Sequence, residues 1–106
     1  MALAKVKLVT IIAESILHDE LVAHLSELGA SGYTTVESHG QGSEGRHAGE
    51  LPGENIRIET LVDESVAEKI AARVAEKYFA SYSVICFIVD AWVVRPGKYR
   101  DKQIGK

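Results

Sequence analysis

Short runs of β-branched and aromatic residues recur four times along the chain. The third run, NIRIETLV, places Ile56, Ile58 and Val62 on one face and charged side chains on the other, which is typical of a strand with one covered face. The first and last runs are apolar on both faces, which indicates strands that are buried on both sides. The predicted strands are residues 7–13, 33–38, 55–62 and 84–94.

Two stretches between these runs carry apolar residues at helical spacing. One stripe is formed by Leu17, Leu21, Leu25 and Leu28, and the other by Val66, Ile70, Val74 and Tyr78. Because residues three or four apart share a face of a helix, these stripes predict helices over residues 16–28 and 64–79.

The ends of both helices carry residues that favour helix termination. Ser15 can cap the start of the first helix, and Gly29 lies where a helix ends in a left-handed residue. The second helix has two candidate caps, Asp63 and Ser65, and Ser65 fits a capping box with Glu68.

The β-α-β-β-α-β order predicts a single α+β domain over residues 1–106. It is the ferredoxin-like arrangement, in which two helices cover one face of a four-stranded antiparallel sheet. The first and last strands are apolar on the other face as well, and soluble monomers rarely expose such a patch. We therefore expect a symmetric oligomer that packs these sheet faces together. The alternatives are a monomer with an exposed apolar face or a part of a larger complex.

Composition narrows the class of protein. The 106 residues are 46% hydrophobic and 25% charged, as in soluble globular domains. A net charge of −3 argues against nucleic-acid binding. Cys86 is the single cysteine and lies in an apolar run, so we expect a buried, unreactive thiol and no disulfide within the chain. Neither a membrane span nor a signal peptide is predicted, so a cytoplasmic location is expected.

Seven of the nine glycines lie within residues 29–53, the stretch most suited to function. Here Gly40-Gln41-Gly42-Ser43 follows a predicted strand, and such a turn can direct backbone N–H groups at an anion. The alternative is a plain turn that starts a mobile loop, because phosphate-binding glycine loops normally open a helix and none follows. The long connection that begins here indicates a functional or disordered segment.

Several polar side chains admit more than one interpretation. Arg46 and His47 can hold bicarbonate through charge-assisted hydrogen bonds, or remain solvated. His39 and His47 could instead bind a divalent metal together with Glu37, Glu44 or Glu50.

Four other side chains are interpreted individually. His18 and His24 are expected to be solvated, and Trp92 to lie in the core or at a subunit interface. Asp90 interrupts an apolar strand, so we expect a buried carboxylate that needs a partner in a cleft or across a subunit boundary.

The order of elements, the long loop and the Gly-x-Gly at its base resemble the PII superfamily of trimeric signalling proteins. The resemblance is closer to the PII-like proteins associated with bicarbonate transport and carboxysomes. The segments that carry it are GASGYT at 29–34, GQGS at 40–43, NIRIE at 55–59 and AARVAEKYF at 71–79. It covers residues 7–98, and the order and spacing of the segments are more specific than any one of them.

This resemblance implies a homotrimer with an adenine-nucleotide site in each cleft between subunits. The loop at residues 39–54, called the T-loop, would change on binding and engage a protein partner. In the bicarbonate-linked group the ligands are AMP, ADP or cyclic AMP, some members sense bicarbonate, and no cofactor is required. The implied site residues are Thr34, Gly40, Gln41, Gly42, Ser43, Arg46, His47, Leu61, Val62, Asp63, Val89 and Asp90. The phosphate or anion would lie against the Gly40–Ser43 turn, and adenine against residues 61–63 and 89–90, largely through backbone groups.

The chain departs from the PII pattern in three places. Its link at residues 80–83 carries no basic residue to hold the outer phosphates of ATP, so ATP with 2-oxoglutarate is disfavoured. The basic tail, residues 97–106, has no cysteine pair, so neither redox control nor phosphohydrolysis is expected. Glu44 lies where related loops often place a basic residue.

Three basic residues near the end of the chain have two interpretations. Arg95, Lys98 and Arg100 either reach a neighbour's phosphate or are solvated.

The leading hypothesis is a non-enzymatic regulator of inorganic-carbon uptake or carboxysome function. It would bind AMP, ADP or cyclic AMP, together with bicarbonate, and act on a bicarbonate transporter or a carboxysome-related protein. The alternative is a trimeric metal-binding protein of the divalent-cation-tolerance type. An acid–base enzyme has no support from paired carboxylates or from a nucleophile–base pair.

Overall fold

The structure is a computed structural model that describes residues 2–40 and 54–94. These residues form four strands and two helices in the order that the hydrophobic pattern predicts. The elements are β1 (Ala4–Glu14), a 3₁₀ turn (Ser15–Leu17), α1 (His18–Leu28), β2 (Thr34–Ser38), β3 (Asn55–Val62), α2 (Glu64–Tyr78) and β4 (Ile85–Val93). Most of the predicted loop, residues 41–53, and the predicted tail, residues 97–106, lie outside the described residues.

The four strands form one antiparallel sheet in the order β2-β3-β1-β4. Strands β1 and β3 are therefore central, and β2 and β4 are its edges. This order, with both helices on one face, confirms the predicted ferredoxin-like fold.

The core lies between the helices and one face of the sheet. Directly opposite residues on antiparallel strands point to the same face of the sheet. Ile11 and Ile58 are such a pair and both lie in the core, so they identify the face that the helices cover. The core comprises Val9, Ile11, Ala13, Leu17, Leu21, Leu25, Ile56, Ile58, Val62, Ala67, Ile70, Val74 and Tyr78. Cys86 lies opposite Ile11 and is partly buried against the core, and this burial raises the pKa of its thiol. Its position agrees with the prediction of an unreactive cysteine.

The two ends of α1 differ in their agreement with the prediction. Gly29 ends the helix with φ 111°, and its N–H donates to the carbonyl oxygens of Leu25 and Ser26, as its left-handed conformation requires. The predicted cap at Ser15 is wrong: Ser15 begins the 3₁₀ turn, and its side chain caps neither helix. The reason is that the Ser15 N–H donates to the carbonyl oxygen of Glu54 at 2.9 Å, which holds it at the end of the sheet, before α1 starts.

The start of α2 is capped by Asp63 and not by Ser65. The Asp63 carboxylate accepts a hydrogen bond from the Val66 N–H at 2.9 Å. The Ser65 hydroxyl donates to the same carboxylate oxygen at 3.3 Å. Ser65 therefore orients the cap and does not form the predicted capping box with Glu68.

Replacing Asp63 with alanine is expected to destabilise the protein by about 1 kcal/mol, because a helix N–H loses its acceptor. Replacing Ser65 with alanine is expected to change stability by less than half as much. Urea unfolding at one fixed protein concentration measures both. Equal losses in the two variants would contradict the assignment of the cap to Asp63.

Candidate functional site

The sheet face opposite the helices is apolar over β1 and β4. Leu8 pairs with Val89, and Ile12 with Ile85, so their side chains lie on this open face. Ile85, Phe87 and Val89 are 51%, 39% and 45% exposed. The prediction that the first and last strands are apolar on the second face is confirmed. These side chains, with Leu8 and Ile12, are called the apolar half of the open face.

Over β2 and β3 the same face is mostly polar. Thr34 lies opposite Glu59, and Ser38 opposite Asn55. Between them, Arg57 Nε donates to Glu59 Oε2 at 3.0 Å, and both side chains are partly exposed. These five residues form the polar half of the open face. The boundary between the halves lies between β3 and β1.

Three of the predicted site residues share this face. Leu61 and Val89 both pair with Leu8 and form one row across three strands. Thr34 lies in the adjacent row, opposite Glu59. A ligand at this position would therefore meet apolar side chains, a hydroxyl and a carboxylate.

Two further predicted residues have side chains that are already committed elsewhere. Val62 is 5% exposed and belongs to the core on the opposite face. The Asp63 carboxylate caps α2. Only backbone groups of these two residues remain for a ligand, which is the kind of contact that the resemblance implies.

Asp90 differs from the prediction of a buried carboxylate. Its side chain is 49% exposed, on the helix-covered face, and its partners belong to the same chain. Lys7 Nζ donates to Asp90 Oδ1, and Lys5 Nζ lies 3.6 Å from Oδ2. The hydrogen bond from Lys7 lowers the pKa of Asp90 and raises that of Lys7. Asp90 is opposite Lys7 in the β1–β4 pairing, so neither a cleft nor a second subunit is needed to explain it.

Gly40 lies at the other end of the sheet from Leu61. It follows the end of β2, where Ser38 pairs with Asn55 at the start of β3. At about 3.3 Å per residue, Gly40 is up to about 20 Å from Thr34 at the start of β2. A side chain added at Gly40 would meet open space. The described part of one chain therefore does not bring Gly40 together with residues 61–63.

Five predicted site residues lie outside the described residues: Gln41, Gly42, Ser43, Arg46 and His47. Their roles stay predictions, as does the metal hypothesis that depends on His47. Among residues 2–40 and 54–94, no group of three or more His, Cys, Asp or Glu side chains is placed to hold a metal ion. In the same residues, no helix is both long and apolar enough to cross a membrane.

The sequence does not predict the ion pair between Arg57 and Glu59. Alternation along β3 places both on the polar face, and that spacing is the available signal, but it is equally typical of a solvated face. Trp92 does not lie in the core of the single chain, since it is 63% exposed, with Lys5 Nζ 6.0 Å from the ring centre. The alternative, a subunit interface, stays a prediction.

The two helix histidines are not simply solvated, which corrects that prediction. His18 lies 3.2 Å from the Thr35 hydroxyl through Nε2 and 2.9 Å from Asp19 through Nδ1. His24 accepts a hydrogen bond from Arg73 at 2.8 Å. Each histidine thus joins α1 to another element.

The chain is similar over nearly all of its length to known PII proteins. The family described as Nitrogen regulatory protein P-II matches residues 6–98. A crystal structure of a PII-like signalling protein from Thermus thermophilus is 47% identical, has a TM-score of 0.80, and covers 93% of this chain and 99% of that chain. CPII from Thiomonas intermedia, bound to ADP and bicarbonate, is 30% identical with a TM-score of 0.80, over 93% of this chain and 98% of that chain. Its structure bound to ADP, AMP and bicarbonate aligns at 26% identity with a TM-score of 0.79, over 92% of this chain and 96% of that chain.

Proposed function

The chain belongs to the P-II family, whose members are signalling proteins rather than enzymes, and on this premise we propose that it is an adenine-nucleotide-binding regulator. It binds AMP, ADP or cyclic AMP in clefts between the subunits of a homotrimer. The observation that carries the proposal is the similarity, over 93% of the chain, to a CPII structure that contains ADP and bicarbonate.

The divided open face supports the trimer. A single chain leaves Ile85, Phe87 and Val89 between 39% and 51% exposed on one strand. Packing three copies of the apolar half around an axis removes this surface from water, which is favourable at roughly 25 cal/mol for each Å² buried. Trimeric assembly is typical of the family.

The polar half then lies at the rim of that interface, which suits a nucleotide. Adenine binds in sites with apolar walls and a few placed polar groups. Leu61 supplies such a wall, and the Thr34 hydroxyl and Glu59 carboxylate supply hydrogen-bonding groups in the adjacent row. In one chain, Gly40 lies up to about 20 Å from Thr34. A ligand at Thr34 is therefore reached more readily by Gly40 of a neighbouring subunit.

The phosphate and the signal are assigned to the loop at residues 39–54. Gly40, Gly42 and Ser43 hold phosphate or bicarbonate through backbone N–H groups and a hydroxyl, while Arg46 and His47 supply charge. The regulatory output is a change in this loop, whose size is limited by the preference of the ligand for one loop state. Its target is a bicarbonate transporter or a carboxysome-related protein, which assigns the regulator to inorganic-carbon uptake or carboxysome function.

Calorimetric titration of the whole protein with AMP, ADP, ATP and cyclic AMP, with and without bicarbonate, tests the proposal. We expect saturable heat with AMP or ADP, a change in affinity when bicarbonate is present, and weaker binding of ATP. GMP and GDP serve as controls for selection of the base. The absence of heat at about 1 mM adenine nucleotide would reject the proposed function.

A pair of adjacent threonines provides matched variants for this titration. Thr34→Val removes a hydroxyl from the open face, whereas Thr35→Val removes one from the helix-covered face, where it contacts His18. Since a single hydrogen bond contributes about 0.5–1.5 kcal/mol, Thr34→Val is expected to weaken nucleotide binding by about two- to tenfold. Thr35→Val is expected to bind as the wild type does. Equal affinities in all three proteins would remove Thr34 from the site.

A further inference from the structure

The two helices are joined by a polar cluster on the side of the fold away from the open face. Its members, here called the helix seam, are Glu20, His24 and Glu27 on α1 and Arg73, Lys77 and Tyr78 on α2. None of them belongs to the proposed nucleotide site. The sequence predicts no role for any of them beyond solvation of His24 and packing of Tyr78.

His24 is held in the neutral state by the geometry of the seam. Arg73 Nη1 donates to His24 Nδ1 at 2.8 Å and to Glu27 Oε1 at 3.1 Å. An arginine remains protonated and can only donate, so Nδ1 must accept, and the imidazole proton lies on Nε2. Binding a second proton at Nδ1 would break this hydrogen bond and place two cations in contact.

The same imidazole contacts the core through Tyr78. The two rings meet edge to face, with centroids 5.9 Å apart. Tyr78 is 3% exposed, and its hydroxyl donates to Glu20 Oε1 at 2.8 Å. Burial is the main reason that the pKa of Tyr78 rises to about 12, so it stays a hydrogen-bond donor throughout the neutral range.

Tyr78 also organises the connection from α2 to β4. The N–H groups of Ser81 and Tyr82 donate to its carbonyl oxygen at 3.1 and 2.8 Å. The Tyr82 ring lies against the Tyr78 ring, with centroids 5.8 Å apart. Displacing Tyr78 would therefore disturb the turn that leads into β4.

We propose that the helix seam is a proton-operated latch, which is closed while His24 is neutral and loosens the helix pair and the α2–β4 turn when His24 is protonated. The latch does not depend on the proposed nucleotide function. It acts in the ligand-free protein. Its opening would loosen the end of the sheet at which β2 ends and β3 and β4 begin.

The charges around His24 support this direction. Desolvation lowers the pKa of His24, and the nearby cations Arg73 and Lys77 lower it further. Glu27 and Glu20 raise the pKa of His24, but by less than desolvation and the two cations lower it. The pKa of the folded state is therefore below the unfolded value of about 6.5. Folding stability is then highest near neutral pH and declines as the pH falls through the unfolded value, because the unfolded chain binds the proton more readily.

Urea unfolding of the full chain at pH 7.5 and pH 5.5 tests the latch, with His24→Gln as the variant and His18→Gln as the matched control. Glutamine can accept the Arg73 hydrogen bond but does not titrate. Between the two pH values, the unfolding constant of the wild type and of His18→Gln is expected to increase more than that of His24→Gln. The extra factor is at most about ten, which is the limit set by the unfolded pKa of about 6.5. An equal increase in all three proteins would overturn the proposal.

Nuclear magnetic resonance of the histidine side chains tests it without depending on the stability of a variant. In the wild type, His24 is expected to show an Nε2-protonated imidazole and to titrate below the ordinary histidine value of about 6.5. In Arg73→Gln, which removes the facing cation, the His24 titration is expected to move upward. Titration of wild-type His24 at or above about 6.5 would overturn the latch.

Discussion

Replacing Val89 with aspartate is expected to convert the proposed trimer into monomers and to abolish the proposed nucleotide binding. Val89 is 45% exposed in the single chain and lies in the middle of the apolar half, opposite Leu8. In a symmetric trimer the substitution places three unpaired carboxylates in the interface, and an unpaired buried charge is destabilising by several kcal/mol. Sedimentation velocity measures the outcome, because the monomer has a mass of 11.5 kDa and the trimer three times that value.

Ile16→Asp is the control for this variant. Ile16 is 81% exposed in the 3₁₀ turn and not on the sheet, so it tests the effect of a new surface charge alone. We expect it to remain trimeric and to bind nucleotide. A trimeric Val89→Asp protein, or a monomeric wild type, would contradict the proposed interface.

A second interface variant, Ile85→Asp, locates the nucleotide site relative to the interface, because Ile85 is 51% exposed on the same face but is not an implied site residue. If the site needs two subunits, a monomeric Ile85→Asp protein shows no nucleotide heat while its circular dichroism stays close to that of the wild type. If it is monomeric and binds ADP with the wild-type affinity, the site lies within one chain, and the role assigned to a neighbouring subunit is wrong.

Local patterns are sufficient to predict the order of the elements. The alternation in β3 identifies its covered face, and the stripe of Val66, Ile70, Val74 and Tyr78 identifies the inner side of α2. Gly29 marks the end of α1 because a left-handed residue is required there. In each case the cause lies within a few residues of the effect.

The errors concern interactions between residues that are distant along the chain. Asp90 is satisfied by Lys7, which is 83 residues away, and His24 by Arg73, which is 49 residues away. Both pairs depend on which residues the β1–β4 pairing and the helix packing place opposite each other, and composition does not reveal that. The prediction for Ser15 fails for the same reason, since its backbone bonds to Glu54 across the sheet.

The candidate site is predictable in part. Thr34, Leu61 and Val89 are implied by the family resemblance, and the strand pairing places all three on the open face. The same resemblance cannot show that the Asp63 carboxylate is occupied by a helix cap. Nor can it show the polar and apolar halves, since that division depends on the order of strands in the sheet.

Replacing Ile70 with alanine is expected to destabilise the protein by about 2–5 kcal/mol, because alanine removes buried methyl and methylene groups and leaves a cavity that the surrounding side chains fill only in part. Ile70 is 1% exposed in α2 and packs into the core between that helix and the sheet. Because the stability of an oligomer depends on concentration, urea unfolding should be compared at one fixed protein concentration.

Lys69→Ala is the matched control, since Lys69 is the adjacent residue on the exposed side of α2 and the product residue is the same. Its effect is expected to stay within about 0.5 kcal/mol, as for most surface substitutions. Ile70→Val should fall between the two, at about 0.5–1.5 kcal/mol, because it deletes one methylene. Similar losses for Ile70→Ala and Lys69→Ala would mean that α2 does not present Ile70 to the core.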